Sequence, residues 1–231
     1  MKRRKLIKDI TVPGVKDLTD GQIAETVLAY SKNSASYAKM WVWNPAHRTE
    51  LGTQVKKFLR FVESGAKVLV PGAGVGRDTE MLTDEGFECT ALDISAEVLE
   101  EAKSRGVKAT YLVHDIRQPL PFPDGSFDAV YSDSVLEHIP KKDVQKVLNE
   151  FHRVLRPRGI LYAGVKKGDG EVYYRYDVGN RKNRRFYITY GEAEFHKFLA
   201  ESGFVLLENW VDEHMDKQTH QWLAGIFRKN S

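Results

Sequence analysis

Three glycines at alternate positions mark the stretch of this sequence with the greatest chemical content, Val70-Pro71-Gly72-Ala73-Gly74-Val75-Gly76-Arg77-Asp78. Residues without a side chain let backbone N–H groups come close to a ligand where a strand turns into a helix. A dinucleotide-binding loop reads G-x-G-x-x-G, and its third glycine would fall at position 77, where arginine stands. Asp78 adds a carboxylate at the helix start, which repels a pyrophosphate and tolerates a cation. The loop therefore suits a nucleoside that carries no phosphates. Taken alone, the trio reads as a tight strand-to-helix turn. Two further acids change that balance. Asp93 closes Ala91-Leu92-Asp93, 21 residues beyond Gly72, close to the offset of about 20 at which an acid meets ribose hydroxyls. Asp115, in His114-Asp115-Ile116, is placed to accept the exocyclic amine of adenine, with Ile94 and Ile116 on the two sides of the flat ring. Each acid singly is an ordinary cap or turn residue; three such features at successive strand ends form a nucleoside site.

The elements that must hold these residues alternate from residue 66 onward. Short apolar runs at 68–70, 87–92, 109–113, 127–131 and 160–165 read as strands, separated by sequence with helical spacing. Ser95 is a natural N-cap for a helix whose inner stripe is Val98, Leu99 and Ala102. The strongest helix signal runs from Lys141 to Arg156, with Val144, Val147, Leu148, Phe151, Val154 and Leu155 on one face and Pro157 and Gly159 as stops. A helix over 192–202 and two strands at 204–211 and 222–227, paired antiparallel across a short connection, finish the chain. This predicts an α/β fold, a doubly wound, mostly parallel sheet with an antiparallel last strand. Residues 63–231 form its core. Residues 1–62, with helical stretches around 23–30 and 49–62, form a helical N-terminal lid.

Composition bounds the rest. The chain has 231 residues, 42% apolar and 29% charged, ordinary for a folded protein and far from a disordered or fibrous one. Charges interrupt every apolar run before the roughly 18 residues of a membrane span. Lys2-Arg3-Arg4-Lys5 is followed only by Leu6-Ile7 before charge resumes, so no secretory leader is expected. Cys89 is the single cysteine, which excludes an intrachain disulfide and points to a reducing, cytoplasmic setting. The net charge of +3 does not by itself imply a polyanion partner.

Over roughly residues 50 to 228 the sequence resembles the class I S-adenosylmethionine-dependent methyltransferases, whose core is Rossmann-like. Val68 to Gly76 matches the family's first motif, and Ala91-Leu92-Asp93-Ile94-Ser95 its ribose-binding acid. Leu120-Pro121-Phe122-Pro123-Asp124-Gly125-Ser126-Phe127-Asp128-Ala129-Val130, then Leu136-Glu137-His138-Ile139, looks like the fourth-strand motif of the small-molecule enzymes. Phe151 to Gly159 is similar to their helix-to-strand turn. The resemblance implies S-adenosylmethionine as cofactor, held by Gly72, Ala73, Gly74, Gly76, Asp78, Asp93, Ile94, Asp115, Ile116 and Ser132. Two positions depart from it: Val70 stands where the family has an acid, and Arg158 replaces a glycine of the usual Pro-Gly-Gly turn. The form Val-Pro-Gly-x-Gly-x-Gly-x-Asp is similar to the thiopurine, thiol and halide branch.

Methyl transfer from a sulfonium is an in-line displacement with the leaving group built in, so positioning and water exclusion supply most of the acceleration and no metal is required. His138 is the candidate base, against a structural histidine in a short helix. Tyr30, Tyr37, Trp41 and Trp43 form an aromatic cluster ahead of the core; Tyr37 and Trp41, with His138, are candidate acceptor-binding residues, and the resemblance implies a tyrosine over the cofactor. Residues 166–190 interleave seven basic residues with Tyr173, Tyr174, Tyr176, Phe186 and Tyr187, a pattern open to an anionic small substrate, to RNA, or to a solvated hairpin. Asp212, Glu213, His214, Asp216 and His220 read as a solvated turn without metal-ligand spacing. The expected function is methylation of a small molecule by a monomer or homodimer with no membrane partner. The alternatives are an RNA methyltransferase and a catalytically silent S-adenosylmethionine-binding protein; an Asn/Asp-Pro-Pro-Tyr motif for base amines is absent, with Tyr131-Ser132-Asp133-Ser134 in its place.

Overall fold

The computed structural model describes residues 9–11, 17–41, 45–177, 180–212 and 221–230. A short strand, β1 (Asp9–Thr11), precedes three helices, α1 (Asp20–Lys32), α2 (Ser34–Trp41) and α3 (Pro45–Leu59). The alternating part follows as β2 (Lys67–Pro71), α4 (Arg77–Asp84), β3 (Glu88–Asp93), α5 (Ala96–Ser104), β4 (Thr110–Val113), β5 (Phe127–Asp133), α6 (Lys141–Val154) and β6 (Leu155–Lys166). A hairpin of β7 (Val172–Asp177) and β8 (Asn180–Ile188), then α7 (Glu192–Glu201), β9 (Phe204–Asp212) and β10 (Trp222–Lys229), complete it.

Seven strands form one sheet in the order β4-β3-β2-β5-β6-β10-β9. The first five run parallel, and β10 is antiparallel to both β6 and β9. Period-two alternation divides the core between the two faces. Leu69, Val130, Leu161 and Val165 point to the side covered by α6 and α7, where Val144, Leu148, Phe151, Phe195 and Leu199 are buried. Val68, Val70, Ala129 and Tyr131 point the other way, against Phe58 of α3 and Leu82 of α4. Chain order reverses at the β2–β5 pair, and a parallel sheet leaves a crevice beyond the strand ends at such a point.

Local chemistry accounts for the helix starts. Thr19 and Gln22 form a reciprocal capping box on α1, and the Ser95 hydroxyl accepts from the Val98 N–H at the start of α5. Among the described residues no helix is long and apolar enough to cross a membrane.

Two features depart from the sequence expectation. The helix expected to reach Arg156 ends at Val154, and Arg158 then takes the left-handed conformation, φ +63°, that a glycine would take at no steric cost. The second is a separate sheet, β1-β7-β8, in which the 166–190 segment forms a buried hairpin rather than the solvated one the sequence allowed. Three residues are too few for β1 to show a period. In the hairpin both faces are buried, and one carries cations. Val172, Phe186 and Ile188 enter the core, whereas Tyr173, Arg175, Arg185 and Tyr187 occupy the opposite face in register, Tyr173 across from Tyr187 and Arg175 across from Arg185. Helix α1 is clamped to this hairpin: the Phe186 N–H donates to Thr26 Oγ1 at 3.0 Å and Arg184 pairs with Glu25 at 2.7 Å.

Candidate active site

At the crevice the β2–α4 loop uses its three glycines differently. All three have positive φ, +67°, +54° and +80° at Gly72, Gly74 and Gly76. A Cβ on Gly72 would stand 2.5 Å from Val135 Cγ2, and one on Gly76 would stand 2.7 Å from Ala102 Cβ. Those two glycines admit neighbouring protein. Only Gly74 faces open space, its nearest neighbour being the Gly72 carbonyl oxygen at 3.9 Å. The Gly74 N–H donates to Asp93 Oδ2 and the Ser95 N–H to Asp93 Oδ1, both at 2.9 Å, so one carboxylate ties the glycine loop to the end of β3. Burial pushes the Asp93 carboxyl up, against the pull of those backbone donors.

One continuous cavity runs from this loop to the hairpin. Gly72, Ala73, Gly74, Asp78, Asp93, Ile94, Asp115 and Ile116 line it. Gly76 and Ser132 do not belong to its wall: Gly76 is filled from behind by α5, and Ser132 is fully buried within β5. Asp115 is forked by its neighbour Arg117, whose Nη2 lies 2.7 Å from Oδ2 and whose Nη1 reaches Asp20 of α1. Its acceptor capacity is thus shared, whereas the adjacent His114 Nε2 is buried and has no hydrogen-bond partner among the described residues.

Beside the loop, a buried charge cluster was not visible as a sequence motif. Arg77 places Nε 2.8 Å from Asp78 Oδ1 and Nη2 2.9 Å from Asp133 Oδ2. The Tyr162 hydroxyl donates to Asp133 Oδ1 at 3.0 Å. Asp78 is therefore not the isolated carboxylate that the sequence implies, but one of two acids sharing one guanidinium. Burial and the nearby Asp78 raise the Asp133 carboxyl to about 6. Gly164 makes this arrangement possible, since a Cβ there would meet Asp133 Oδ1 at 2.5 Å.

The far half of the cavity is walled by Tyr30, Tyr37, Glu137, His138, Lys166, Arg175, Arg185, Tyr187 and Trp222. His138 Nδ1 lies 2.8 Å from the Phe186 carbonyl oxygen, so Nδ1 carries the hydrogen and the bare Nε2 accepts from the Tyr30 hydroxyl at 3.2 Å. The Tyr187 hydroxyl, 3.1 Å from that of Tyr30, then donates to it. Burial lowers the His138 pKa to about 3. Both ring nitrogens are engaged and the ring is neutral. His138 thus joins the Phe186 carbonyl to the Tyr30 hydroxyl through its two ring nitrogens. Tyr37, in α2, stands edge-on to Tyr30 with centroids 5.3 Å apart. Trp41 ends α2, while Trp43, Lys2 to Lys5 and the segment Glu213 to His220 lie outside the described residues.

Three of the basic residues of the 166–190 segment face inward. Lys166, Arg175 and Arg185 are all nine-tenths or more buried on the cavity wall. Sequence reasoning saw them as a patch and missed Glu137, whose Oε2 accepts from the Lys166 N–H at 2.9 Å. Burial raises the Glu137 carboxyl to about 7.

Comparison with known proteins matches residues 69–163 to a methyltransferase-domain family. That segment is therefore similar to a methyltransferase domain, and the fold around it is shared with solved S-adenosylmethionine-dependent methyltransferases. Over 100 residues the chain is 35% identical to an uncharacterised methyltransferase of Synechocystis sp., covering 43% of this chain and 47% of that one. Over 160 residues it is 27% identical to the ubiquinone biosynthesis O-methyltransferase of Klebsiella pneumoniae, covering 68% and 64% respectively. The chain thus spans about half to two thirds of the length of these relatives. In fold, the methyltransferase domain and its flanking helices superpose on the Burkholderia thailandensis 1,6-didemethyltoxoflavin N1-methyltransferase with a TM-score of 0.70 and 22% identity, covering 97% of this chain and 95% of that one. That structure holds S-adenosylhomocysteine and its acceptor together.

Proposed function

We propose that the protein transfers the methyl group of S-adenosylmethionine to a small-molecule acceptor. The observation that carries this reading is the two-ended cavity at the β2–β5 switch point, with aspartates and the open Gly74 at one end and tyrosines and cations at the other. The first end fits the cofactor. Asp93 offers a carboxylate for a diol, Ile94 and Ile116 offer apolar surface for a flat ring, and the buried, unpartnered His114 Nε2 beside Asp115 offers polar contact for an adenine edge. Asp78 and Asp133, sharing Arg77, leave that end net negative and suited to the cationic methionine part. They also supply the carboxylates that Val70, buried in the sheet, does not. When bound, S-adenosylmethionine supplies a methyl group already activated by a sulfonium.

The chain's own residues then orient the acceptor and exclude water. Tyr30 and Tyr37 from α1 and α2 line the cavity from the N-terminal side, so these two helices act as its cover and the alternating part of the chain as the catalytic core. The inward placement of Lys166, Arg175 and Arg185 favours a small acceptor over RNA, because side chains buried on a cavity wall are not presented to a phosphate backbone. The named acceptors of the relatives, in ubiquinone biosynthesis and in 1,6-didemethyltoxoflavin methylation, are of the same small-molecule class. The single, buried Cys89 fits a cytoplasmic, reducing location.

Calorimetry tests the reading. S-adenosylhomocysteine should bind with micromolar or tighter affinity and NAD should not. Asp93→Ala should weaken the cofactor by about tenfold to a hundredfold, the worth of charge-assisted hydrogen bonds. Tight NAD binding without S-adenosylhomocysteine binding would sink the proposal, and nanomolar RNA binding that collapses when Arg181, Lys182, Arg184 and Arg185 are neutralised together would replace the small acceptor with RNA.

A further inference from the structure

We infer that Arg105, at the end of α5, is a positioning residue for the nucleoside: it holds the glycine loop in the shape that presents the Gly74 N–H to Asp93. This rests on the methyltransferase reading and adds to it a residue that lies off the cavity wall. Arg105 caps the last turn of α5, and its side chain is folded inward, only 10% exposed. Its Nη1 donates to the Val75 carbonyl inside the loop, and its Nη2 lies 3.0 Å from Glu80 Oε2 in the first turn of α4. One guanidinium thus spans the loop and the helix that the loop begins.

The Val75 carbonyl starts a chain of hydrogen bonds that ends on the carboxylate. The peptide unit joining Val75 to Gly76 accepts from Arg105 through its carbonyl, and its N–H, that of Gly76, donates to the Ala73 carbonyl at 3.0 Å. The unit joining Ala73 to Gly74 repeats the pattern, since its N–H, that of Gly74, donates to Asp93 Oδ2 at 2.9 Å. Two planar peptide units are therefore aligned head to tail between a cation and an anion. In such a chain each bond polarises the next, so the charge of Arg105 strengthens the hold of Gly74 on Asp93 from two peptides away. The loop is pinned at other points as well. The Ala73 N–H donates to the Leu92 carbonyl at 2.9 Å, and the Val75 side chain is buried in one cluster with Val98 of α5 and Ala38 of α2. Ala102, three residues before Arg105, fills the space that a Cβ on Gly76 would take. A loop with three left-handed glycines has many shapes open to it, and Arg105 holds one of them before any ligand arrives.

The experiment uses the full chain, labelled with nitrogen-15 at glycine, and S-adenosylhomocysteine as the probe. Arg105→Met keeps the stem and removes charge and donors together; Arg105→Lys keeps the charge and a donor but not the fork. Calorimetry should show Arg105→Met weakening S-adenosylhomocysteine by about tenfold, the worth of one charge-assisted hydrogen bond, and Arg105→Lys recovering part of the loss. In the ligand-free proteins the amide proton resonance of Gly74 should move upfield in Arg105→Met and lie between the two in Arg105→Lys, because its bond to Asp93 weakens in that order. A general loss of stability would not move this one resonance in step with the affinities. Parent-like affinity in folded Arg105→Met would overturn the inference, as would weakened binding with an unmoved Gly74 resonance. Should Arg105→Met not fold, Arg105→Lys decides by the same two readouts, and parent-like affinity or an unmoved resonance overturns the inference there too. Failure of the parent protein to bind S-adenosylhomocysteine would instead remove the methyltransferase reading beneath it.

Discussion

The imidazole of His138 donates through Nδ1 to the backbone carbonyl of Phe186 at 2.8 Å, joining the turn after β5 to the hairpin strand β8. This bond fixes the tautomer and leaves Nε2 for Tyr30, so the histidine organises three elements from one buried position. It also sets a pH dependence. Burial lowers the His138 pKa from 6.5 to about 3, so between those values the unfolded chain binds a proton that the folded chain refuses. Stability contributed at neutral pH is then lost on acidification, by up to about 1.4 kcal/mol per pH unit. Glu137 has the opposite sign: burial raises its carboxyl from 4.5 to about 7, and its contribution is lost as pH rises through that range. Urea titrations should show His138→Gln gaining on the parent protein as pH falls below 6.5, and Glu137→Gln gaining on it as pH rises towards 7. Parallel pH profiles for all three proteins would refute both assignments.

Arg158 gives a prediction of stability alone. It is exposed and stands at φ +63°, the conformation that glycine adopts at no steric cost. A residue with a Cβ incurs about 1–2 kcal/mol in the left-handed region, partly offset by the roughly 0.5–1 kcal/mol of extra chain entropy that glycine loses on folding. Arg158→Gly should therefore stabilise by about 0.5–1 kcal/mol, or about 1–4 °C in Tm for a chain of this size. Arg156 nearby has no positive φ and pairs with Asp128 at 2.9 Å, so Arg156→Gly should lower the Tm. Thermal melts of the two variants moving in the same direction would contradict this account of the turn.

The parallel core was legible because its buried strands read as continuous apolar runs, as in Val68-Leu69-Val70, and because α6 presents an unbroken helical stripe. The glycine-loop end of the cavity was legible from Asp93, whose distance in sequence from the loop is set by the length of one strand-helix-strand passage. The charge cluster beside the loop and the hairpin end of the cavity were not. Their contacts join residues that no local spacing relates: Arg77 to Asp133 across 56 positions, and Tyr30 to His138 across 108. The burial of the hairpin escaped for a different reason. Its arginines share a face with tyrosines as core residues would, but a hydropathy pattern scores them as solvated.

The glycine trio separates folding from binding within one loop. Gly72→Ala would force a Cβ to within 2.5 Å of Val135, in a backbone conformation with φ +67°, so both steric overlap and strain act against the folded state. Gly76→Ala meets Ala102 at 2.7 Å at φ +80° and should behave likewise. Gly74→Ala meets nothing nearer than 3.9 Å, so its cost to folding is the left-handed strain alone, about 1–2 kcal/mol. Its methyl group, however, would occupy the space the loop leaves open beside Asp93, and any shift of the Gly74 N–H would loosen the carboxylate it holds. We therefore expect Gly74→Ala to melt closest to the parent protein and yet to lose S-adenosylhomocysteine binding by tenfold or more, whereas Gly72→Ala and Gly76→Ala lose stability first. Thermal melts paired with calorimetry on the three variants decide it: if Gly74→Ala retains full affinity while melting like the other two, the open face of the loop is not where the nucleoside lies.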